Sequence, residues 1–305
     1  MPDQQPALTV LIRAKNEAAY IGQTLSQLFA QEYPHTFRVI LIDSGSEDAT
    51  LEIASQYPVE IIRIPPEDFS YSSALNLGVG RAVGKYFVCL SGDAVPTDKQ
   101  WLSGLVDALE QDPQVVASFS RQLPREDSNY FVAEQINRTF PGQPRQIVLT
   151  DRNREAFATD PYEFSFFSNT SGCIRLAYLK QNPFEELPFA EDRQFAIRAL
   201  KQGYKLQYVP SSMVFHAHQM TFRGAIHRTR NAALGRWQIR QRRSDLLSIL
   251  ARHLLLPAIF LKASLRLGRD PGLRVTAKLG AFCYLVKVML GGAIGQTSAW
   301  LRYRT

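Results

Sequence analysis

Cysteine is scarce in this chain: three in 305 residues, with Cys89, Cys173 and Cys283 far apart among apolar or small neighbours. An odd, scattered set excludes a disulfide framework and lacks thiolate metal spacing, so buried free thiols in a reducing compartment are expected. The opening Met1-Pro2-Asp3-Gln4-Gln5-Pro6 lacks the charged start and apolar stretch of a secretory signal. The folded body is therefore expected in the cytoplasm. Internal repeats and low-complexity runs are missing too. Acid is nearly absent from one end. From Thr221 onward sixteen Lys and Arg face only Asp245 and Asp270, a net +14, whereas the first 220 residues carry −7. That division points to a polyanion bound by the tail.

What is present describes a folded protein. Hydrophobic content of 45% with 21% charged residues excludes a disordered chain, and the length permits one large domain or a domain with an appendage. Strand-like and helix-like segments alternate: Leu8–Arg13 extended, Glu17–Gln31 helical, Arg38–Asp43 extended, then a helix from a Ser46 cap through Gln56. Val59–Ile64, a helix at Ser72–Val83 and a strand at Lys85–Ser91 continue the pattern, followed by a helix at Trp101–Gln111 and a strand at Val115–Ser120. Such alternation predicts an α/β fold with a doubly wound, mostly parallel, Rossmann-like sheet. Residues 121–170 read as loops and short elements. A helix from Glu191 to Gln202, ended by Gly203, precedes a strand at Tyr204–Val209.

Two of these runs end in acid. Val39-Ile40-Leu41-Ile42-Asp43 and Tyr86-Phe87-Val88-Cys89-Leu90-Ser91-Gly92-Asp93 read as strands buried on both faces, with polar tips at the carboxyl edge of a parallel sheet. Ligands bind at that edge in open α/β sheets. Glu191-Asp192 opens a later helix. Acids at 43, 93 and 192 facing one another would suit a metal ion and a phosphate-bearing ligand.

The residues also carry a resemblance. Leu8-Thr9-Val10-Leu11-Ile12-Arg13-Ala14-Lys15-Asn16-Glu17, followed by Val39 to Thr50, resembles the opening of inverting family 2 glycosyltransferases with the GT-A fold. Phe69 to Gly78, the strand ending at Asp93, Phe189-Ala190-Glu191-Asp192 and Phe215-His216-Ala217-His218 continue it in family order up to about Trp237. The nearest members it is similar to are bacterial rhamnosyltransferases. The resemblance implies a GT-A catalytic domain over residues 1–225, with a nucleotide-binding half at 1–98 and an acceptor half at 99–225. A basic amphipathic helical tail at 226–305 lies largely outside it.

The same resemblance implies roles. Arg13, Asn16, Glu17, Asp43, Ser44, Asn76 and Ser91 are candidates to line the nucleotide pocket of a nucleotide-sugar donor. Asp43 could instead cap the following helix, and Asn76 could instead satisfy backbone groups. Asp93 matches the last acid of the family's Asp-x-Asp motif, which holds a divalent cation, Mg²⁺ or Mn²⁺. Ser91 and Gly92 stand where relatives often have acids, which thins the metal site. His216 and His218, at i and i+2, could add ligands, or form a surface pair. Asp192 is the candidate general base that takes the acceptor hydroxyl's proton, with Glu191 orienting the site or raising its neighbour's proton affinity. Both acids also suit the first turn of a helix. Phe164 to Gly172 could contact sugars or form a buried aromatic strand.

In the tail, Leu246, Leu247, Leu250, Leu254 and Leu261 recur at near-helical spacing among Arg240, Arg242, Arg243, Arg252, Lys262 and Arg266, with a kink expected at Pro257. Leu279 to Trp300 is interrupted only by Lys287 among charged residues, which disfavours spanning and favours helices lying on an anionic membrane face. Packing on the body or on another subunit is the other reading. Nucleic acid is disfavoured, because the basic residues alternate with aliphatic ones. The expected activity is sugar transfer to a lipid-linked or polysaccharide acceptor by a protein peripheral at the inner membrane face. The alternatives are a nucleotidyltransferase, although residues 13–19 lack a glycine-rich phosphate loop, and a non-catalytic sugar- or lipid-binding module.

Overall fold

The computed structural model describes residues 5–187, 189–218, 220–240, 253–269 and 274–302. By its contacts the chain forms two units. The first comprises Met1–Leu123, Thr139–Leu187 and Glu191–His216; the second comprises Pro124–Arg138, Pro188–Ala190 and Ala217–Thr305.

The first unit is built on a sheet of order β3-β2-β1-β4-β8-β6-β9-β5, with β7 paired to β9. Its parallel half consists of β1 (Leu8–Ala14), β2 (Phe37–Asp43), β3 (Glu60–Arg63) and β4 (Tyr86–Ser91). β1 lies between two strands and is buried on both faces, with Leu8, Val10, Ile12 and Ala14 on one and Thr9, Leu11 and the partly buried Arg13 on the other. Leu8, Val10 and Ile12 pack with Ile21, Leu25 and Leu28 of α1 (Ile21–Phe29) and with Trp101 and Leu105 of α4 (Trp101–Glu110). On the opposite face Leu11 meets Gly78 of α3 (Tyr71–Arg81) so closely that a Cβ there would stand 2.6 Å from its methyl. Helices on both faces make the sheet doubly wound, as expected.

The remaining strands are β5 (Val95–Pro96), β6 (Val115–Leu123), β7 (Arg145–Ile147), β8 (Ser171–Arg175) and β9 (Lys205–Phe215). β8 runs antiparallel to both β4 and β6, and β9 is parallel to β6. The carboxyl ends of β1, β2, β4, β6 and β9 therefore share one rim, and β8 begins there. Residues 121–170 do hold short elements: α5 (Tyr130–Thr139), α6 (Arg154–Thr159) and α7 (Pro161–Phe164). α8 (Leu176–Gln181) follows β8, and α9 (Glu191–Lys201) starts at the rim.

Several boundaries differ from expectation, beginning with α1, which spans Ile21–Phe29 where Glu17–Gln31 was expected. Ser46 does not cap a helix: its hydroxyl bonds the Asp43 carboxylate and accepts Asn16 N–H at 2.9 Å. α2 is shorter, Thr50–Ala54, with Asp48 accepting Thr50 N–H at 3.0 Å ahead of it. β6 runs on to Leu123, and β9 continues past Pro210 to Phe215 through a register shift that absorbs residues 210–212.

Among the described residues the second unit contains nearly all of α5, together with α10 (Phe222–Arg240), a helix at Leu256–Arg269 (α11) and one at Val275–Arg302 (α12). Helical residues 253–254 and α11 are separated by a break at Leu255, just ahead of Pro257, the second residue of α11, where a missing N–H costs little; most of the helix that Pro257 was expected to kink lies outside the described residues. Arg242, Arg243, Leu246, Leu247, Leu250 and Arg252 lie outside the described residues. Gly291 and Gly295 let α12 approach α10, since a Cβ on Gly295 would stand 2.5 Å from the Ile226 carbonyl. α11 meets α12 through Phe260 and Phe282, with ring centroids 4.8 Å apart.

Candidate active site

The rim gathers most of the acids and bases that the sequence singles out. Arg13, next to last in β1, is registered with Ile42 on one side and Ser91 on the other, and Ala14 is level with Asp43. Asp93 follows β4 by two residues and is 2% exposed. Gly92 between them is wedged, for a Cβ there would stand 3.2 Å from Arg13 O, Ala14 Cβ and Glu17 Cγ. The missing acid at 92 thus has a packing reason.

His216 follows β9, and its Nε2 lies 3.5 Å from Asp93 Oδ1. Nδ1 of the same ring meets Gln122 Oε1 at 2.9 Å, and Gln122 Nε2 donates to Ser168 Oγ at 3.0 Å. Next in the chain, Asn169 donates through Nδ2 to Glu191 Oε1 at 3.3 Å and accepts Arg13 Nη2 on its carbonyl, also at 3.3 Å. Arg13 Nη1 is 3.9 Å from Glu191 Oε1, and its guanidinium lies 5.3 Å from the Tyr71 ring centre. An unbroken line of contacts therefore leads from Asp93 through His216, Gln122, Ser168 and Asn169 to Glu191 and its neighbour Asp192. The acids at 93 and 191–192, about a hundred residues apart, belong to one rim.

Glu191 and Asp192 form the first turn of α9, where the helix dipole favours negative charge. Asp192 Oδ1 accepts the N–H of Arg193 at 2.7 Å. Its proton affinity is pushed up to about 7, first by burial and then by the charge of Glu191. Arg193 turns away: Nη1 donates to the carbonyls of Tyr162 at 2.9 Å and Ser165 at 2.8 Å, with the guanidinium 4.5 Å from the Phe166 ring centre. The 162–168 segment is thereby tied to the start of α9.

The nucleotide-pocket candidates divide. Ser44 is buried behind Ala14, donating its N–H to the Ala14 carbonyl at 3.2 Å, and Ser91 N–H reaches the Thr170 carbonyl at 2.9 Å. Asn16 takes the left-handed conformation, φ 55°, that Asn tolerates, and its Oδ1 accepts Glu47 N–H at 2.8 Å. Glu17 N–H donates to Thr50 Oγ1 at 2.7 Å, so residues 16 and 17 clasp the loop after β2. Asp43 accepts Gly45 N–H at 3.0 Å and bonds both the N–H and the hydroxyl of Ser46. Its carboxylate organises the turn after β2 and caps no helix. For Asn76 the hydrogen bonds take the second of its two readings. Its Nδ2 donates to Phe184 O at 2.8 Å and its Oδ1 accepts Phe184 N–H at 2.9 Å, so it satisfies backbone. His218 belongs by its contacts to the second unit.

Sequence reasoning missed Gln122, Ser168, Asn169 and Arg193 as individuals. The available signal was the alternation Ser118, Ser120, Gln122, which places three polar side chains on one face of a strand that is apolar elsewhere except at Arg121.

A Rossmann-like sheet with acids at its carboxyl rim and a helix opening in Glu-Asp defines the GT-A class of glycosyltransferases. A mannosyltransferase from Pyrobaculum calidifontis, solved with GDP-Man and Mn²⁺, shares this fold at a TM-score of 0.60, with 18% identity, 95% of this chain and 88% of that chain covered. Residues 9–181 match the family described as Glycosyl transferase family 2, and the chain belongs to that family. Among curated relatives, the O-antigen chain rhamnosyltransferase RfbN of Salmonella typhimurium is 29% identical over 231 residues, 72% of this chain and 69% of its own length. The O-antigen chain rhamnosyltransferase WbaN of Salmonella anatum is 28% identical over 226 residues, 73% and 70% of the two chains. The protein is a glycosyltransferase.

Proposed function

We propose that this glycosyltransferase moves a hexose or deoxyhexose, rhamnose first among candidates, from a nucleoside diphosphate donor to a lipid-linked or polysaccharide acceptor with inversion. The observation that carries this reading is the line of contacts joining Asp93 to Glu191-Asp192 along one rim. The names of the two O-antigen relatives support the sugar and the acceptor class.

In this mechanism Asp192 is the general base. It takes the proton of the acceptor hydroxyl as that oxygen bonds to the anomeric carbon and the bond from that carbon to the diphosphate oxygen breaks. Attack opposite the leaving group inverts the centre. A proton affinity near neutrality makes Asp192 a stronger base than an ordinary carboxylate while leaving much of it ionised at work. Glu191, held by Arg13 and Asn169, supplies the charge that sustains this. Arg13, Asn16, Glu17, Asp43, Ser44 and Ser91 line the donor pocket.

Asp93 and His216 fit a divalent cation, because a carboxylate oxygen and an imidazole nitrogen converge at 3.5 Å. Imidazole in the set favours Mn²⁺ over Mg²⁺, which prefers oxygen throughout. Such an ion neutralises charge on the departing nucleoside diphosphate. His218, two residues along, is a further candidate ligand. The basic tail holds the protein at the inner face of the cell membrane. Substituting Asp192→Asn tests the central step: transfer should fall about 10²- to 10⁴-fold while calorimetric donor binding persists. Full transfer by the variant would refute the assignment.

A further inference from the structure

Gln122 enters the rim from β6 with both ends of its amide engaged. Oε1 meets His216 Nδ1 at 2.9 Å, and Nε2 donates to Ser168 Oγ, which also receives Thr170 N–H at 3.4 Å. Gln122, Ser168 and the start of β8 are buried, so the amide sits in a fixed frame. A carbonyl oxygen only accepts, and the contact therefore requires the proton on Nδ1. The neutral imidazole then presents its lone pair on Nε2, 3.5 Å from Asp93 Oδ1. Those side chains are only 14% and 3% exposed, so water screens them poorly. An unprotonated Nε2 and the carboxylate are both acceptors, and they repel there unless a proton or a metal cation comes between them.

We propose that Gln122 is a positioning residue: it holds His216 in the Nδ1–H tautomer so that its Nε2 lone pair joins the Asp93 carboxylate around a divalent cation. Groups behind a metal-binding histidine fix tautomer and ring orientation in this way. The inference rests on the reading of Asp93 and His216 as cation ligands and adds the residue that prepares them. Ser168 acts one step further back, accepting Gln122 Nε2–H in the arrangement that turns Oε1 toward the ring. The cation site and the start of α9 thus share a support, since Asn169 beside Ser168 holds Glu191.

The test uses the full chain, Mn²⁺ without donor, and three proteins: wild type, Gln122→Leu and Gln122→Glu. Calorimetric titration of Mn²⁺ should show Gln122→Leu weakened about 10- to 100-fold. Gln122→Glu keeps an acceptor against Nδ1–H and should stay within a few-fold of wild type. Thermal unfolding of each variant confirms that a folded protein is being compared. Separately, ¹⁵N spectra of His216 at pH 8 in the metal-free wild type should show the proton on Nδ1, and Gln122→Leu should lose that preference. Wild-type binding that Gln122→Leu leaves unchanged, or a wild-type ring protonated at Nε2, overturns the role of Gln122. A wild type with the expected tautomer that binds no Mn²⁺ overturns the cation reading of Asp93 and His216, and this proposal with it.

Discussion

Glu191 and Asp192 are consecutive in the chain and differ in what they touch. Glu191 receives the Asn169 amide and stands near Arg13, whereas the hydrogen bond described for Asp192 comes from the next residue's N–H. Two acids whose surroundings separate them take separate roles. The pH dependence follows with a definite sign. A base works deprotonated, and burial plus the Glu191 charge raise the proton affinity of Asp192, so transfer should decline as pH falls through about 7. An ordinary carboxylate would keep its activity about three units lower. Replacing Glu191→Gln removes the like charge and should move the acid limb of kcat to lower pH; burial, the larger cause, keeps part of the displacement. A kcat profile flat from pH 5 to 8 in the wild type would contradict this account.

Elements explain what was legible. Strands β1, β2 and β4 are apolar runs ended by polar residues, and such runs identify themselves without tertiary information; so does the Glu-Asp start of α9. Rim acids were therefore visible before any coordinates. Gln122 was not, because the expected strand stopped at Ser120 and its partners His216 and Ser168 come from β9 and the approach to β8. A cross-strand contact among three distant segments leaves no periodic trace. Asn76 had two readings in the sequence, a ligand contact or the satisfaction of backbone groups, and α3 uses it for the second, holding the backbone of Phe184. Removing it with Asn76→Ala strands a buried backbone pair. That should cost about 1–3 kcal/mol in chemical unfolding and leave Mn²⁺ affinity at the Asp93 site unchanged. A variant as stable as wild type would show that the Phe184 backbone finds other partners.

Charge and apolar exposure meet in the second unit and argue for one kind of surface. α12 is apolar on two sides. Gly291, Gly295 and Ala299 are buried, the two glycines against α10, while Val275, Leu279, Leu290, Ile294 and Leu301 form an outward stripe, with Leu279 61% and Leu301 71% exposed. Length and composition alone would let α12 cross a bilayer. Its neighbour would not: α10 carries Arg223, Arg228, Arg230, Arg236 and Arg240, and each arginine at the centre of a bilayer costs about 2.5–3.5 kcal/mol. On the proposed membrane-face reading, a helix packed along α10 would lie in the interface, its stripe among acyl chains and the arginines of α10 near anionic headgroups. The full chain should sediment with vesicles rich in anionic lipid, bind neutral vesicles weakly, and lose affinity as salt rises. The pair Leu279→Glu and Leu290→Glu should weaken that binding by tenfold or more, since each leucine contributes about 1.5–3 kcal/mol when it leaves water, while Mn²⁺ affinity in solution stays unchanged. Salt-insensitive association with neutral vesicles that alkaline carbonate fails to release would instead mean that α12 spans the membrane.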